Sequence, residues 1–181
     1  MPEPEIVTVS SRIAYENRWL RLREDIVRRQ DGSQGLYGVV ERSDFVVVAA
    51  VQDGTLALVE QYRYPVRRRL WELPMGMWEH APGTDPAALA AAELREETGL
   101  RATRMDYAGQ MLQGPGYCNQ VGHVFLATGL SPGETSREVT EQGMACRAVP
   151  LAEFDAMVRA GTLVDATSIA AMALLRAKGL L

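Results

Sequence analysis

Three glutamates within five residues are the side chains of this sequence best suited to do chemistry. Glu93, Glu96 and Glu97 stand at positions i, i+3 and i+4, which share one face of an α-helix. Like charges at this spacing repel one another, and a bound divalent cation would turn the repulsion into attraction. Because carboxylates are hard oxygen ligands, the pattern favours Mg²⁺, with Mn²⁺ as an alternative. Taken alone, such a run also fits a solvated helix face.

The helix that would present these glutamates has well-defined ends in the sequence. Asp85 can cap its start, Pro86 fits its first position, and Gly99 fits its stop. Its other face carries a stripe of small and apolar residues, namely Ala87, Ala91, Leu94 and Thr98. We therefore expect this stripe to be buried while the opposite face holds the three carboxylates.

Strand patterns precede and follow the helix. Residues 5–44 alternate apolar and polar side chains around a turn at 30–33, which predicts a small antiparallel sheet. The apolar runs 45–51 and 55–61, joined by Asp53-Gly54, predict a buried hairpin. Further predicted elements are strands at 104–112, 121–128 and 143–149 and helices at 151–160 and 166–178.

Composition narrows the possible classes of function. With 181 residues and 47% hydrophobic content the chain can bury one main core. A net charge of −4 disfavours nucleic acid as a partner. No leader-like or bilayer-spanning segment is present, so we expect a cytoplasmic protein without a membrane partner.

Residue usage excludes several catalytic schemes. The single lysine, Lys178, excludes a phosphate-loop lysine and a Schiff base. The two cysteines, Cys118 and Cys146, have no CxxC partner, so we expect buried free thiols instead of a metal cluster.

The segment from Leu73 to Leu100 resembles the Nudix box, whose usual pattern is G-x5-E-x7-R-E-U-x-E-E-x-G-U with U aliphatic. Its matching parts are Leu73-Pro-Met-Gly76, a Pro-started helix, and Glu93-Leu-Arg-Glu-Glu-Thr-Gly-Leu100. The resemblance implies an α/β (α+β) fold, an α/β/α sandwich around a mixed central sheet, with the small N-terminal antiparallel β-sheet added to it. It also implies that Glu93, Glu96 and Glu97 hold the metal, with a backbone carbonyl near Met75 as a further ligand.

Two positions depart from that box. Ala92 stands where the family has an arginine that helps to orient the metal glutamates, and Thr84 stands where it has an early glutamate. The loop after Gly76 is also two residues longer than usual. Arg95 is a possible substitute for the arginine, although it points away from the glutamate that it would have to steady.

Other segments resemble the ADP-ribose pyrophosphatase subgroup of that family. They are Val59–Val66, Leu70–Pro74, Pro115 at fifteen residues after Leu100, and Gly161–Ser168. The resemblance implies hydrolysis of the diphosphate in ADP-ribose or a related nucleotide sugar to a nucleoside monophosphate and a sugar phosphate. GDP-mannose and NADH are alternative substrates. Because the box is altered, a catalytically weak sensor that binds ADP-ribose is an alternative of another class.

Candidate residues for substrate and chemistry follow from the same comparison. Arg63 is the candidate for a diphosphate contact, since a guanidinium can bind phosphate oxygens in a bidentate way. Tyr62, Trp71 and Trp78 are candidates for stacking on the base, with burial in the core as the alternative. The remaining substrate candidates are Pro115 and Gly116.

The general base of the subgroup usually lies on a late acidic loop. On the corresponding loop of this chain Glu141 is the first candidate and Glu138 the second. Glu96 is a third catalytic candidate, through its role as a metal ligand. The resemblance also implies a homodimer, in which residues 1–44 form a β-sheet subdomain that helps to shape the partner's pocket. Residues 45–181 would be the Nudix hydrolase domain.

Overall fold

A computed structural model describes residues 4–77, 85–135 and 143–181 of the chain. Backbone contacts divide the chain into two compact units, Met1–Asp44 with Leu112–Val121, and Phe45–Met111 with Gly122–Leu181. The N-terminal part of the first unit ends at Asp44, and the unit also includes Leu112–Val121.

The first unit is a three-stranded antiparallel sheet, as the alternation in residues 5–44 predicts. Its strands pair in the order β1-β2-β3, and they are β1 (Ile6–Glu16), β2 (Arg21–Arg29) and β3 (Gln34–Glu41). Backbone bonds attach the later segment to β3, because the Val40 N–H donates to Tyr117 O at 2.7 Å and the Asn119 N–H donates to Val40 O at 3.2 Å. These pairs join residues far apart in sequence, so local patterns could not reveal them.

A buried carboxylate stabilises this sheet from within. Asp25 on β2 accepts hydrogen bonds from Ser11 Oγ at 2.6 Å and from Arg23 Nε at 2.9 Å. The bonds from Arg23 and Ser11 hold the pKa of Asp25 below its usual value, although burial opposes them. Arg23 also pairs with Glu41 on β3. The three strands are therefore joined by charged side chains as well as by backbone pairing.

The second unit is built on a mixed sheet in the strand order β10-β5-β4-β9-β8. Strand β4 pairs antiparallel with β5 and parallel with β9, while β6 adds to β5 and β7 adds to β4. The strands are β4 (Phe45–Gln52), β5 (Thr55–Arg63), β6 (Arg68–Glu72), β7 (Met75–Gly76), β8 (Leu100–Leu112), β9 (Val121–Pro132) and β10 (Ala145–Pro150).

Helices cover this sheet on both faces. They are α1 (Pro86–Thr98), α2 (Leu151–Ala160) and α3 (Ala166–Ala177). Because side chains alternate along a strand, Val47 of β4 joins the core cluster that contains Phe154 and Leu175, while Val48 joins the cluster that contains Leu94. The first cluster lies under α2 and α3 and the second under α1. The predicted α/β/α sandwich is confirmed.

Two sequence-based expectations about this unit need correction. Strand β8 begins at Leu100, earlier than predicted, because the chain enters it directly after the helix stop at Gly99. Cys146 is exposed instead of buried, since it lies on β10 at the edge of the sheet. None of the helices in the described part of the chain is long and apolar enough to cross a bilayer.

Candidate functional site

Helix α1 begins and ends where its sequence predicts. The side chain of Asp85 accepts from the Ala87 N–H at 3.1 Å, and Pro86 occupies the first helical position. At the other end Gly99 takes a left-handed conformation with φ of 75° and donates its N–H to Arg95 O at 2.8 Å. These local contacts fix the register in which the helix presents its glutamates.

The buried face of α1 is only partly the one expected from the sequence: Leu94 of the expected stripe is buried, and Ala87 and Thr98 are partly buried. Its buried residues are Leu89, Ala90, Glu93, Leu94 and Glu97, whereas Ala91, assigned to the buried stripe, is exposed. Glu93 keeps 9% of its surface exposed and Glu97 only 1%, while Glu96 is partly exposed. The reason is that this helix faces polar backbone on β7 as well as apolar side chains on the sheet, so two carboxylates find partners inside.

Glu97 is fixed by a main-chain donor. Its Oε2 atom accepts a hydrogen bond from the backbone N–H of Met75 at 3.1 Å. Met75 is itself paired with Val47 of β4, in the centre of the sheet. The carboxylate is therefore attached to a rigid part of the fold rather than to a mobile side chain.

Glu93 lies directly against Gly76, the neighbour of Met75. A Cβ atom built on Gly76 would overlap the carboxyl carbon and both oxygens of Glu93. Gly76 pairs with Val46 of β4, so the backbone cannot easily withdraw. Only glycine allows this carboxyl group to approach the strand so closely.

Glu96 occupies the outer side of the same helix. Arg95, considered as a substitute for the arginine missing at Ala92, lies 3.6 Å from Glu96 through its Nη2 atom. The Met75 N–H is one contact that orients Glu97, and Glu93 lies against Gly76 of the same strand.

The donor chemistry of this helix face fits a hard divalent cation. Within residues 4–77, 85–135 and 143–181, no group of three or more His, Cys, Asp or Glu side chains is close enough to hold a metal alone. Mg²⁺, however, is usually held by one or two carboxylates together with waters and substrate phosphates. Glu93, whose carboxyl group lies against Gly76, and Glu97 match that smaller requirement.

A further buried acid, Glu72, was not predicted from the sequence. Arg63 Nε donates to both of its carboxylate oxygens, at 2.9 and 3.0 Å, and Nη2 adds a third contact. Burial raises the pKa of Glu72, with the hydrogen bonds and charge of Arg63 acting in the opposite direction. Burial lowers the pKa of Arg63, but the bonds and charge of Glu72, with smaller contributions from Glu97 and Asp165, raise it overall.

This ion pair gives the Arg63 guanidinium a defined partner inside the protein, which was not predicted from the sequence. The Nε and Nη2 edge of its guanidinium is bound to Glu72, so that edge is engaged within the protein. The available sequence signal was an acid standing between the two apolar residues Trp71 and Leu73. The ion pair also joins β5 to β6, because Arg63 lies on β5 and Glu72 lies on β6.

Helix α3 contacts the same region through its first turn. Ser168 Oγ accepts from the Leu73 N–H at 2.8 Å and donates to Asp165 Oδ2 at 2.7 Å. Asp165 also caps the helix by accepting from the Ser168 N–H at 2.7 Å. Both residues lie in the segment Gly161–Ser168, whose resemblance to the subgroup assigned no role to either side chain.

The other predicted residues have varied positions. Tyr62 is exposed. Trp71 is half-buried against the core, as in the alternative to base stacking, and the Arg147 guanidinium lies 5.7 Å from the centre of its ring. Pro115 and Gly116 belong to the first unit, where Gly116 O accepts from the Tyr37 hydroxyl at 3.1 Å. Outside the described residues lie Trp78, Thr84, Glu138 and Glu141.

Comparison with known families assigns both parts of the chain. Residues 6–40 match the nucleoside diphosphate sugar hydrolase N-terminal domain. Residues 41–170 match the NUDIX domain. The second match covers more than half of the chain and includes the glutamate helix.

Individual proteins agree with the family matches. An ADP-ribose pyrophosphatase of Mycobacterium tuberculosis is 36% identical over 94% of this chain and 83% of its own length. An ADP-ribose pyrophosphatase of Bacillus subtilis is 32% identical over 78% of this chain and 76% of its own length. A crystal structure of an ADP compounds hydrolase shares the fold, with a TM-score of 0.86 and 18% identity over 99% of this chain and 98% of that chain.

Proposed function

The chain belongs to the Nudix hydrolase family, and on that premise we propose that it is a divalent-metal-dependent pyrophosphohydrolase of ADP-ribose or a related nucleotide sugar. In the proposed reaction water attacks one phosphorus and the bond to the bridging oxygen breaks. The products are a nucleoside monophosphate and a sugar phosphate. The observation that supports this proposal most directly is the pair of buried carboxylates, Glu93 and Glu97, held against the backbone of Met75–Gly76.

The substrate class is supported by the relatives. Two ADP-ribose pyrophosphatases are more than 30% identical to this chain, and one of them aligns with nearly all of it. The N-terminal match to a nucleoside diphosphate sugar hydrolase domain points in the same direction. We therefore place ADP-ribose before GDP-mannose and NADH as the substrate.

Glu93, Glu96 and Glu97 are the proposed metal ligands, with the carbonyl of Met75 as a further one. A bound Mg²⁺ or Mn²⁺ would neutralise charge on the diphosphate and favour attack by water. The chain's own contribution is to hold the ligands in place. The Met75 N–H restrains Glu97, while Gly76 lets Glu93 approach the strand.

This arrangement favours catalysis over a purely binding role. The sensor alternative arose because Ala92 replaces the box arginine that helps to orient the glutamates. Here the backbone N–H of Met75, a residue paired to β4, holds Glu97. Since a main-chain donor needs no side chain to be in place, this support for Glu97 does not depend on the missing arginine.

Arg63 and Tyr62 are the proposed substrate contacts in the second unit. The Glu72 pair restricts the conformations of Arg63, and a preorganised guanidinium is well suited to diphosphate oxygens. Tyr62 is 53% exposed, so its ring is accessible for stacking on a base. Pro115 and Gly116 are proposed to contact the substrate from their loop. Trp71 is a weaker candidate than Tyr62, because it packs against the core.

A homodimer is also part of the proposal. Every residue of β1 is exposed, and its apolar side chains include Ile6, Val9 and Ile13. A long edge strand with such side chains is typical of a surface that pairs with another chain. A monomeric mass in solution would remove this part of the proposal.

The decisive experiment is a titration of ADP-ribose hydrolysis with Mg²⁺, with product identification and with GDP-mannose and NADH as parallel substrates. We expect metal-dependent release of AMP and ribose 5-phosphate, with ADP-ribose as the preferred substrate. Preference for another compound would change the substrate but keep the class. Tight binding of ADP-ribose without turnover at any metal concentration would instead establish the sensor alternative.

A further inference from the structure

The segment Leu73–Gly76 supports both buried glutamates, so the contacts that place this segment also affect the site. On one side it lies along β4. The carbonyl of Pro74 accepts from the Val48 N–H at 2.9 Å, and the last two residues of the segment pair with the same strand. These bonds are between main-chain groups of the sheet.

Two side chains from different helices complete the attachment. Glu97 of α1 accepts from the Met75 N–H, and Ser168 of α3 accepts from the Leu73 N–H. The residue between these two donors is Pro74, which has no N–H of its own. Each helix therefore binds one of the two neighbouring donors of the segment.

Asp165 orients the Ser168 hydroxyl for this contact. Because the hydroxyl donates its hydrogen to Asp165 Oδ2 at 2.7 Å, its lone pairs are directed to other donors. Ser168 is fully buried, and so is Leu73. A buried N–H needs a partner, and here the partner comes from 95 residues further along the chain.

Helix capping alone does not account for this arrangement. The capping bond of α3 runs from the Ser168 N–H to Asp165, and any residue with an N–H could supply it. The hydroxyl adds a separate bond to the strand segment. We infer that Ser168, oriented by Asp165, is a positioning residue for the glutamates: by fixing Leu73 it sets where the Met75 N–H and Gly76 meet Glu97 and Glu93.

This inference rests on the proposed function, because it assumes that the glutamates bind a divalent cation. Its test uses Mn²⁺ as the probe, with the free ion measured by electron paramagnetic resonance, and amide hydrogen exchange at Leu73 and Met75. In Ser168→Ala we expect Mn²⁺ to bind more weakly by up to about 10-fold, the lower end of the range for lost direct partners of metal ligands, because Ser168 acts through the Leu73 backbone. Exchange at Leu73 and Met75 should also accelerate.

Two further variants separate positioning from a loss of stability. Ser168→Thr keeps the hydroxyl and should restore most of the Mn²⁺ affinity. Ile169→Val removes one methyl group from the next residue of α3, which packs against the core, and should lower the melting temperature without changing Mn²⁺ affinity. If Ser168→Ala does not fold, Asp165→Asn, which keeps a capping acceptor, should shift both readouts in the same direction.

The outcomes test the positioning role of Ser168 separately from the proposed function of the protein. Wild-type Mn²⁺ affinity and unchanged Met75 exchange in a folded Ser168→Ala would overturn the positioning role, and so would equal weakening by Ile169→Val. A wild-type protein that binds Mn²⁺ but hydrolyses no nucleotide diphosphate would refute the proposed function alone, because the binding and exchange measurements would still decide the role of Ser168.

Discussion

The Oε2 atom of Glu97 accepts a hydrogen bond from the backbone N–H of Met75 at 3.1 Å, which joins the glutamate helix to the central sheet. The bond requires an oxygen acceptor but no negative charge. Metal binding, in contrast, requires the charge. A substitution that keeps the oxygen and removes the charge therefore separates the fold from the proposed chemistry.

Glu97→Gln should abolish metal-dependent turnover and leave the fold intact. The amide oxygen can still accept from Met75, while its buried NH₂ group adds two donors, so we expect a folded protein whose free energy of unfolding falls by about 1–3 kcal/mol. Turnover at saturating Mg²⁺ and a chemical denaturation curve measure the two effects.

The matched control for this substitution is Glu60→Gln. Glu60 pairs with Arg69 across the β5–β6 hairpin and has no place in the proposed machinery. It should keep wild-type turnover. Full turnover in Glu97→Gln would rule out the metal assignment.

Gly76→Ala should lower activity more than stability. The added methyl group would overlap the Glu93 carboxyl group, which is the end of a flexible side chain and can turn aside, so we expect only a small loss in the free energy of unfolding. The displaced carboxylate should also raise the Mg²⁺ concentration needed for half-maximal rate. Gly38→Ala is the control, because Gly38 also lies in a strand and its added Cβ would meet nothing within 4 Å. Equal effects of the two substitutions would contradict the close-approach explanation.

Local features of the sequence were sufficient to predict where the helices begin and end. Asp85, Pro86 and Gly99 act within a few residues of themselves, so the limits of α1 follow directly from them. The continuous apolar run from Phe45 likewise predicted a strand buried on both faces, and β4 is buried from Phe45 to Ala50.

The burial of Glu93 and Glu97 could not be predicted in the same way. An acid is normally assigned to a solvent-facing side, and only the main chain of Met75–Gly76, on a separate element, makes the inner face of α1 acceptable for carboxylates. The Arg63–Glu72 pair depends similarly on the register between β5 and β6. Non-local pairing of this kind leaves no periodic pattern in the sequence.

The stability of the N-terminal sheet should depend on pH through Asp25. Its pKa lies below the ordinary value of 3.8 because Arg23 and Ser11 bind the charged form. Since the pKa is lowered on folding, the stabilisation is fully present above pH 3.8 and is lost as pH falls below that value towards the folded-state pKa. Asp25→Asn should therefore be less stable than the wild type at neutral pH, with a difference that shrinks in acid.

Denaturation of the wild type and of Asp25→Asn at a series of pH values tests this dependence. Groups that titrate in both proteins cancel from the difference in free energy. Ser11→Ala, which removes one of the two hydrogen bonds to Asp25, should show a smaller change with the same sign. A difference that grows as the solution is acidified would contradict the assigned direction of the pKa shift.

The identity of the general base can be decided by kinetics on the late acidic loop. A base that removes the proton from the attacking water acts in the transition state, so its loss should lower kcat by a factor of about 10² to 10⁴ with little change in substrate binding. We expect this pattern for Glu141→Gln. Glu134→Gln, at an exposed position of the same loop, should keep the wild-type kcat and serves as the control. A loss confined to Glu138→Gln would assign the base to Glu138, since removal of a merely solvated carboxylate has no reason to affect kcat selectively.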